Sequence, residues 1–174
     1  MIKSRSGSEK RSNNVHVLKS LFPQSLCNLR VEIQFDGDPA APGIPKQDSG
    51  NYFATYNTFY IKGEEDNYRL SLADYEGTAG DRELWVLVLY EGMSYNNGHQ
   101  FSTRDRDNDG DASRNCAQLY SSGWWFDACT KSNLNGVWGV RGGEQVRWDP
   151  LNGVDITLLP SGVIESTVMK VRVK

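Results

Sequence analysis

Apolar and polar residues alternate at period two in four segments of this chain. These segments are residues 29–35, 52–61, 68–72 and 166–173. Because successive side chains of a strand point to opposite faces, this pattern predicts strands with one buried face and one exposed face. Aromatic and β-branched residues are frequent in the segments, as is typical of strands. The sequence therefore predicts an antiparallel sheet with one face in water.

The segments between these strands carry different signals. Residues 1–12 are polar and basic, which predicts a disordered tail, and residues 15–22 predict a helical turn that ends before Pro23. Residues 36–50 contain three prolines and three glycines and predict a long loop. The most apolar window, residues 83–90 (ELWVLVLY), taken by itself predicts a core strand. The rest of the second half is mostly loop.

The composition describes one loop-rich domain. The chain has 174 residues, 17 glycines, 11% aromatic residues and a formal net charge of −3. This length suits a single domain, and the small negative charge gives no bulk attraction to nucleic acid. No apolar run is long enough to span a membrane. These features favour a β-rich domain with short elements.

An acidic loop carries the most informative chemistry. Aspartates occupy every second position in it, at Asp105, Asp107, Asp109 and Asp111. Carboxylates at this spacing repel one another unless a hard cation lies among them, and calcium takes its oxygen ligands from such flexible loops. An EF-hand is excluded, because Cys116 stands where that motif requires a bidentate glutamate and no amphipathic helix flanks the loop. A calcium loop and a solvated acidic loop remain as alternatives.

The three cysteines allow one pair and one residue left over. Cys116 and Cys129 enclose a short loop that contains Trp124 and Trp125. A bridge between these cysteines would stabilise the fold by roughly 3 kcal/mol on the loop-entropy estimate, and we expect the two tryptophans to pack on it. Cys27 is either a reduced thiol or a residue whose partner is absent.

The cysteines and the acidic loop both favour an extracellular protein. A zinc site would need further ligands, and His16 and His99 are the only histidines. The N-terminus (MIKSRSGSEKRSNN) is polar and basic and has no apolar core of a signal peptide. We therefore expect that the start of the protein is missing from this chain.

A longer series of motifs resembles one known family. The motifs are LRVEI, NYRLSLADYEGTAGD, YNNGHQFSTRDRDND, NCA, GWWFDAC and SNLNG. In this order they resemble the C-terminal domain shared by fibrinogen chains, ficolins, tenascins, angiopoietins and tachylectins. On this resemblance, residues 13–174 form a partial, N-terminally truncated domain that lacks the family's opening part with its own cysteine pair.

The resemblance implies an α+β fold with a twisted antiparallel sheet and a loop-rich, calcium-binding C-terminal subdomain. It also implies the ligands of Ca²⁺, namely the side chains of Asp107 and Asp109 and backbone carbonyls near Asp111 and Ser113. An extra residue after Asp109 could displace these carbonyl ligands by one position. The carboxylates of Asp105 and Asp111 would then contribute negative potential without ligating the ion.

The resemblance further implies a ligand pocket beside a disulfide between Cys116 and Cys129. Family lectins bind N-acetyl groups there through backbone N–H donors near a cis peptide, which corresponds to Ala128–Cys129. Tyr120 lies where acetyl-binding members carry a pocket aromatic, although a surface tyrosine is the alternative. Thr130 stands where many lectin-type members have histidine, so one polar wall of the pocket is lost.

Two segments depart from the family pattern. About ten extra residues, 82–91, intervene between GTAGD and YNNG, so that the apolar window is interpreted as part of an insertion instead of a core strand. Residues 149–153 replace an aromatic-rich stretch that completes the pocket in relatives.

The function implied by the resemblance is that of a calcium-stabilised extracellular recognition module. Its ligands would be glycans or acetylated small groups, as in innate-immune lectins. A protein-binding module for a receptor or matrix partner and a non-functional truncated fragment are the alternatives. We expect no enzyme, because nothing places Cys27 beside a histidine and carboxylates occupied by calcium shuttle protons poorly. An oligomer is expected only if an upstream region supplies it, since multivalency then raises avidity.

Overall fold

The computed structural model describes residues 2–4, 26–35, 50–79, 92–138, 146–148 and 164–174. Residues 5–12 of the expected tail, the expected helical turn at 15–22, the insertion at 82–91 and the altered segment at 149–153 lie outside the described residues.

Seven strands form two antiparallel sheets in the described structure. In chain order they are β1 (Ile2–Ser4), β2 (Cys27–Phe35), β3 (Gly50–Ile61), β4 (Leu70–Gly77), β5 (Ser132–Asn133), β6 (Arg147–Trp148) and β7 (Ile164–Val173). The larger sheet has the order β1-β7-β2-β3-β4, and β5 pairs with β6. The C-terminal strand β7 therefore lies inside the larger sheet, between β1 and β2.

The period-two pattern of β2 separates the two faces of the larger sheet. Leu29, Val31 and Ile33 are buried, whereas the side chains of Arg30 and Glu32 between them remain partly exposed. The prediction of a sheet with one buried and one wet face is confirmed. The four predicted strands are also confirmed, each with somewhat different bounds.

Two local irregularities interrupt the period-two pattern, and the second of them moves the start of β4. In β3, Tyr56 pairs with Leu29 but Phe59 pairs with Cys27, so one extra residue forms a bulge at this point. Before β4, Asn67 and Tyr68 have φ angles of 47° and 55°. This left-handed turn delays the strand that was predicted from residue 68, and β4 then continues to residue 77.

Strand β1 differs from the disordered tail predicted for residues 1–12. Its three residues pair with Met169, Val168 and Thr167 of β7. The physical reason is that β7, paired with β2 on one side only, offers unpaired backbone groups along its other edge, and an extended segment satisfies them.

Residues 92–138 form a largely irregular layer on the buried face of the sheet. They include a 3₁₀ turn at Gly92–Asn96 and one short helix, α1 (Cys116–Leu119). Trp124, Trp125 and Phe126 are almost fully buried here, and the Trp125 indole donates a hydrogen bond to the Tyr68 carbonyl at 2.8 Å. The two predicted core tryptophans are confirmed. Among the described residues, no helix has the length and apolar character that crossing a bilayer requires.

Polar side chains attach this irregular layer to the edge of the sheet. The Asn97 carboxamide accepts from the Leu72 N–H at 2.7 Å and donates to the Leu72 carbonyl at 3.0 Å, so it occupies the edge of β4. The Asp66 carboxylate accepts from Arg69 at 2.9 Å and from Gln100 at 3.0 Å. These bonds hold the pKa of Asp66 far below its usual range. The bond from Gln100 therefore holds the residue just before the acidic loop against the turn that contains Asp66.

Candidate functional site

The acidic loop is anchored on the aromatic core at its start. Ser102 and Trp124 exchange two backbone hydrogen bonds, of 2.9 and 3.2 Å. Asn108 then donates from its backbone N–H to the Ser102 hydroxyl at 3.0 Å and from its side chain to the Phe101 carbonyl at 2.7 Å. Since Ser102 is fully buried, the loop between these anchors has little freedom to move away.

The alternating aspartates shape the loop through a repeated local bond. Three of the four carboxylates accept from the backbone N–H two residues later, as in an Asx turn. Asp107 accepts from Asp109 at 3.3 Å, Asp109 from Asp111 at 2.9 Å, and Asp111 from Ser113 at 3.0 Å. The every-second-residue spacing therefore has a structural consequence of its own, which is a series of tight turns.

Asp109 is the most enclosed carboxylate of the series. Its second oxygen accepts from the Cys116 N–H at 2.8 Å, which ties the loop to the first turn of α1. Burial raises the pKa of the Asp109 carboxyl, and the adjacent Asp107 carboxylate raises it further, although the N–H groups of Cys116 and Asp111 oppose the shift. Two carboxylates therefore act on each other at a partly buried position.

The other two aspartates already have partners. Asp111 accepts from the Ser113 hydroxyl at 2.7 Å and from Arg114 Nε at 2.8 Å, and these bonds lower its pKa to about 2. Asp105 accepts from the Thr103 hydroxyl at 2.7 Å, which also lowers the pKa of that carboxyl. The expectation that neither side chain ligates the ion stays a prediction.

The donor set of this loop fits calcium. Asp107 and Asp109 offer carboxylate oxygens, while Arg114 of the same loop pairs with Asp111. Burial is the main cause of the raised Asp109 pKa and the Asp107 carboxylate adds to it, and a hard divalent ion would compensate both effects. A softer metal has no comparable site in the described part of the chain, because the one group of potential ligands, Asp111 with Cys116 and Cys129, holds its two sulfurs in a disulfide.

The disulfide adjoins the acidic loop. Cys116 and Cys129 are bridged, with their Cα atoms 5.6 Å apart, and the peptide bond between Ala128 and Cys129 is cis. Both features were expected and both are confirmed. The Asp127 N–H donates to the Cys129 carbonyl at 2.7 Å, and the Asp127 carbonyl accepts from the Gly110 N–H at 3.1 Å. The acidic loop, the bridge and the cis peptide thus share one hydrogen-bond network.

The expected ligand-binding residues divide between surface and interior. Tyr120 is half-buried, and its ring stacks on Phe126 with a centroid distance of 5.7 Å. Ala128 is exposed, whereas Cys129 is buried. The Asn115 side chain caps α1 by accepting from the Gln118 N–H at 2.8 Å. This cap fixes the direction in which α1 leads to Tyr120.

Thr130 is turned into the interior. Its hydroxyl accepts from the Asn96 carboxamide at 2.8 Å and donates to the Ser132 carbonyl at 2.5 Å. The Ser132 hydroxyl in turn donates to Asn96 Oδ1 at 2.8 Å. The Thr130 side chain is therefore a structural partner of the loop, and only its backbone is left for a ligand. Sequence reasoning missed Asn96, Ser132 and Phe126, because a single polar or aromatic residue in a loop carries no periodicity.

The third cysteine and the SNLNG turn lie outside the acidic loop. Cys27 lies buried in β2 as a thiol outside the disulfide, and burial raises its pKa. Both alternatives for Cys27 stay open, since a thiol is also what a cysteine with an absent partner would show. In the turn, Asn133 accepts from the Asn135 N–H at 3.2 Å.

Comparisons with known proteins agree with this architecture. A family model described as "Fibrinogen beta and gamma chains, C-terminal globular domain" matches residues 44–174. The chain belongs to the fibrinogen C-terminal domain family. The resemblance deduced from the motifs is thereby confirmed. Fibrinogen-like domains are non-enzymatic binding modules, and the expectation that this chain is not an enzyme is consistent with that membership.

Relatives of known sequence match most of this chain. Angiopoietin-4 of Bos taurus is 37% identical over 162 residues, which cover 90% of this chain and 27% of the relative. Tenascin-R of Homo sapiens is 34% identical over 147 residues, which cover 84% of this chain and 9% of the relative. The chain thus spans about a quarter or less of these two relatives.

Solved structures of the family show the same fold. The fibrinogen-like globe domain of human ANGPTL2 is 30% identical, with a TM-score of 0.68 over 91% of this chain and 63% of that domain. Lamprey fibrin D-dimer, solved with the peptide ligand Gly-His-Arg-Pro-amide, has a TM-score of 0.61 at 24% identity and is covered to 48%. The sheet-rich fibrinogen-like globe fold is therefore shown for this chain.

Proposed function

We propose that this chain is a calcium-organised extracellular recognition module. One observation carries the proposal: the Asp107 and Asp109 carboxylates lie together without a cationic partner among the described residues, in a loop bonded to the disulfide segment. Calcium held there would fix the backbone that presents Ala128 and Cys129. The ion would supply only charge compensation and rigidity, and the ligand would contact the protein. The disulfide and the secreted relatives support an extracellular location.

The proposed ligand is an acetylated group or glycan bound at Tyr120 and Ala128. Tyr120 is half-buried and follows α1, which begins at Cys116 of the bridge, and the bridge joins α1 to the exposed Ala128 and the cis peptide. An aromatic side chain near backbone N–H donors suits an acetyl group. A second candidate is a protein partner. It is favoured by Leu119, whose 46% exposure next to Tyr120 adds an apolar patch, and by the inward turn of the Thr130 hydroxyl, which leaves fewer polar groups at the surface.

Replacement of Asp107 or Asp109 by alanine is expected to abolish calcium binding. The unmutated chain should bind one Ca²⁺ per molecule, with a dissociation constant of roughly 10⁻⁴–10⁻³ M as in extracellular modules. Isothermal titration of refolded, oxidised protein measures this affinity. Asp105→Ala is the matched control, because it removes the same charge from the same loop at a position already bonded to Thr103.

The Asp105→Ala variant should retain affinity within about threefold, since it loses only an exposed charge that does not ligate the ion and that water and salt screen. If all three variants lost the same calcium affinity, the ion would be attracted by the overall negative charge of the loop and would not occupy a defined site. Absence of calcium binding by a folded, unmutated chain would refute the calcium proposal and leave the solvated-loop alternative.

Competition with an N-acetyl sugar separates the two candidate ligands. N-acetylglucosamine should shift the NMR signals of Tyr120 and Ala128 with millimolar affinity, and Tyr120→Ala should weaken this binding at least about tenfold because the aromatic contact is lost. Tyr60→Ala, a half-buried tyrosine of β3, serves as control. Calcium binding without any response to the sugar would contradict the glycan assignment and favour the protein partner.

A further inference from the structure

The exposed face of the larger sheet contains a groove that takes no part in the calcium loop. Its volume is about 380 Å³, and its walls include Arg30, Glu32, Gln34, Asn51, Phe53 and Ser166. This volume falls within the roughly 300–1,000 Å³ of small-molecule sites. Arg30, Glu32 and Gln34 alternate in β2 with Leu29, Val31 and Ile33, which belong to the core. Ile33 and its partner Tyr52 also border the groove.

Strand register places the lining residues in rows across three strands. Gln34 of β2 lies opposite Ser166 of β7 and Asn51 of β3. Glu32 lies opposite Phe53 in the next row. Because β2 is paired on both sides, its backbone groups are used in the ladder and cannot add a peptide strand. Recognition in this groove must therefore use side chains.

Three charged residues meet at the groove: Arg30 and Glu32 line it, and Lys170 lies next to it, opposite Arg30 in β7. Lys170 donates to both oxygens of Glu32 at 2.6 Å, and Arg30 Nε donates to the same carboxylate at 3.0 Å. Two cations and one anion leave a net charge of +1. Both cations also lower the pKa of Glu32, so this balance holds at neutral pH.

Arg30 is held in a defined orientation. Its guanidinium carbon lies 4.1 Å from the centre of the Phe53 ring, and Nη1 donates to the Thr55 hydroxyl at 3.3 Å. A guanidinium has five N–H donors, and within the described residues the bonds to Glu32 and Thr55 engage two of them. The remaining donors of a fixed guanidinium suit the planar oxygens of a carboxylate or sulfate.

The uncharged lining combines three polar residues, Gln34, Asn51 and Ser166, with apolar and aromatic residues such as Val168 and Phe53. The Ser166 hydroxyl donates to Gln34 Oε1 at 3.3 Å. This bond uses the Gln34 oxygen, so the amide N–H groups of Gln34 can donate to a ligand. Asn51 is exposed beside it. Carboxamides and a hydroxyl next to an aromatic ring provide donors and acceptors for hydroxyl groups, together with an apolar surface.

We propose that this groove binds a saccharide that bears a carboxylate or a sulfate group. The anionic group contacts Arg30, and the sugar hydroxyls contact Gln34, Asn51 and Ser166. This site is separate from the surface around Tyr120, and its occupation does not depend on calcium.

The test uses the full chain labelled with ¹⁵N and three probes. Glucuronic acid and glucose 6-sulfate represent the two possible anionic groups, and glucose is their neutral counterpart. We expect at least one acidic sugar to shift the signals of Arg30, Gln34 and Asn51 with millimolar affinity, and glucose to bind at least about tenfold more weakly. Arg30→Gln should weaken the binding of the acidic sugar by a similar factor.

Arg172→Gln is the matched control, because Arg172 is an exposed arginine of β7 that does not line the groove. It should change affinity by less than about twofold. Asn51→Asp, which places a negative charge in the groove at an exposed position, provides a second variant if Arg30→Gln does not fold, and it should also weaken binding about tenfold.

Four outcomes would overturn the proposal. Equal binding of glucose would remove the role of charge. Equal binding of sodium sulfate, titrated as a further probe without a sugar, would reduce the groove to a simple anion site. If Arg30→Gln and Arg172→Gln lost equal affinity for the acidic sugar, the binding would be a general attraction of anions to this face of the sheet. Shifts confined to Tyr120 and Ala128 would place the sugar at the other surface and would equally contradict the proposal.

Discussion

Replacement of Asn96 by alanine is expected to lower the free energy of unfolding by about 3 kcal/mol, the cost of several buried polar groups left without partners. Asn96 is fully buried. Its amide donates to the Trp125 carbonyl and the Thr130 hydroxyl, each at 2.8 Å, and its oxygen accepts from the Ser132 hydroxyl at 2.8 Å. Alanine removes three hydrogen bonds and leaves a polar cavity. Urea unfolding monitored by tryptophan fluorescence measures the change.

Asn97→Ala provides the matched control for this experiment. Asn97 is the same residue type at the next position, and it also makes hydrogen bonds, but it is exposed at the edge of β4. Water can replace its partners, so we expect a cost of about 1 kcal/mol. If Asn96→Ala were no more destabilising than Asn97→Ala, the buried network would not be a main support of residues 128–132.

The sheet was predictable because burial imposes a period that the sequence must carry. Leu29, Val31 and Ile33 reach the core from one face, and any one-residue shift of register would expose all of them. This constraint acts at every position of the strand. The predicted strand at residues 29–35 therefore agrees closely with the observed β2, although the prediction did not know which strands pair with it.

The irregular layer follows a different logic. The Asp107 and Asp109 spacing predicted a calcium loop, with a solvated acidic loop as the alternative. The structure shows local Asx-type bonds at the same spacing, which the sequence analysis did not foresee. Asn96 and Thr130 are 34 positions apart in the chain. No local pattern connects such residues, so the direction of the Thr130 side chain could not be deduced from its neighbours. The bulge in β3 was also hidden, because it depends on pairing with β2.

The disulfide should stabilise the domain by about 3 kcal/mol, as estimated for a loop of this length. The bridge joins residues separated by 13 positions. We expect the double variant Cys116→Ala with Cys129→Ala to lose this amount in urea unfolding. Calcium affinity should also fall at least about tenfold, because the Cys116 N–H holds Asp109 and the segment ending at Cys129 holds Gly110 through Asp127.

Cys27→Ala separates the bridge from a general effect of losing a buried cysteine. Cys27 is buried in β2 and takes no part in the disulfide, so its replacement should cost about 1 kcal/mol and leave calcium affinity unchanged. A double variant that kept full calcium affinity would show that the acidic loop is organised without the bridge. The hydrogen bonds of Ser102, Asn108 and Asp109 would then suffice to hold the site, and its rigidity would originate in the aromatic core.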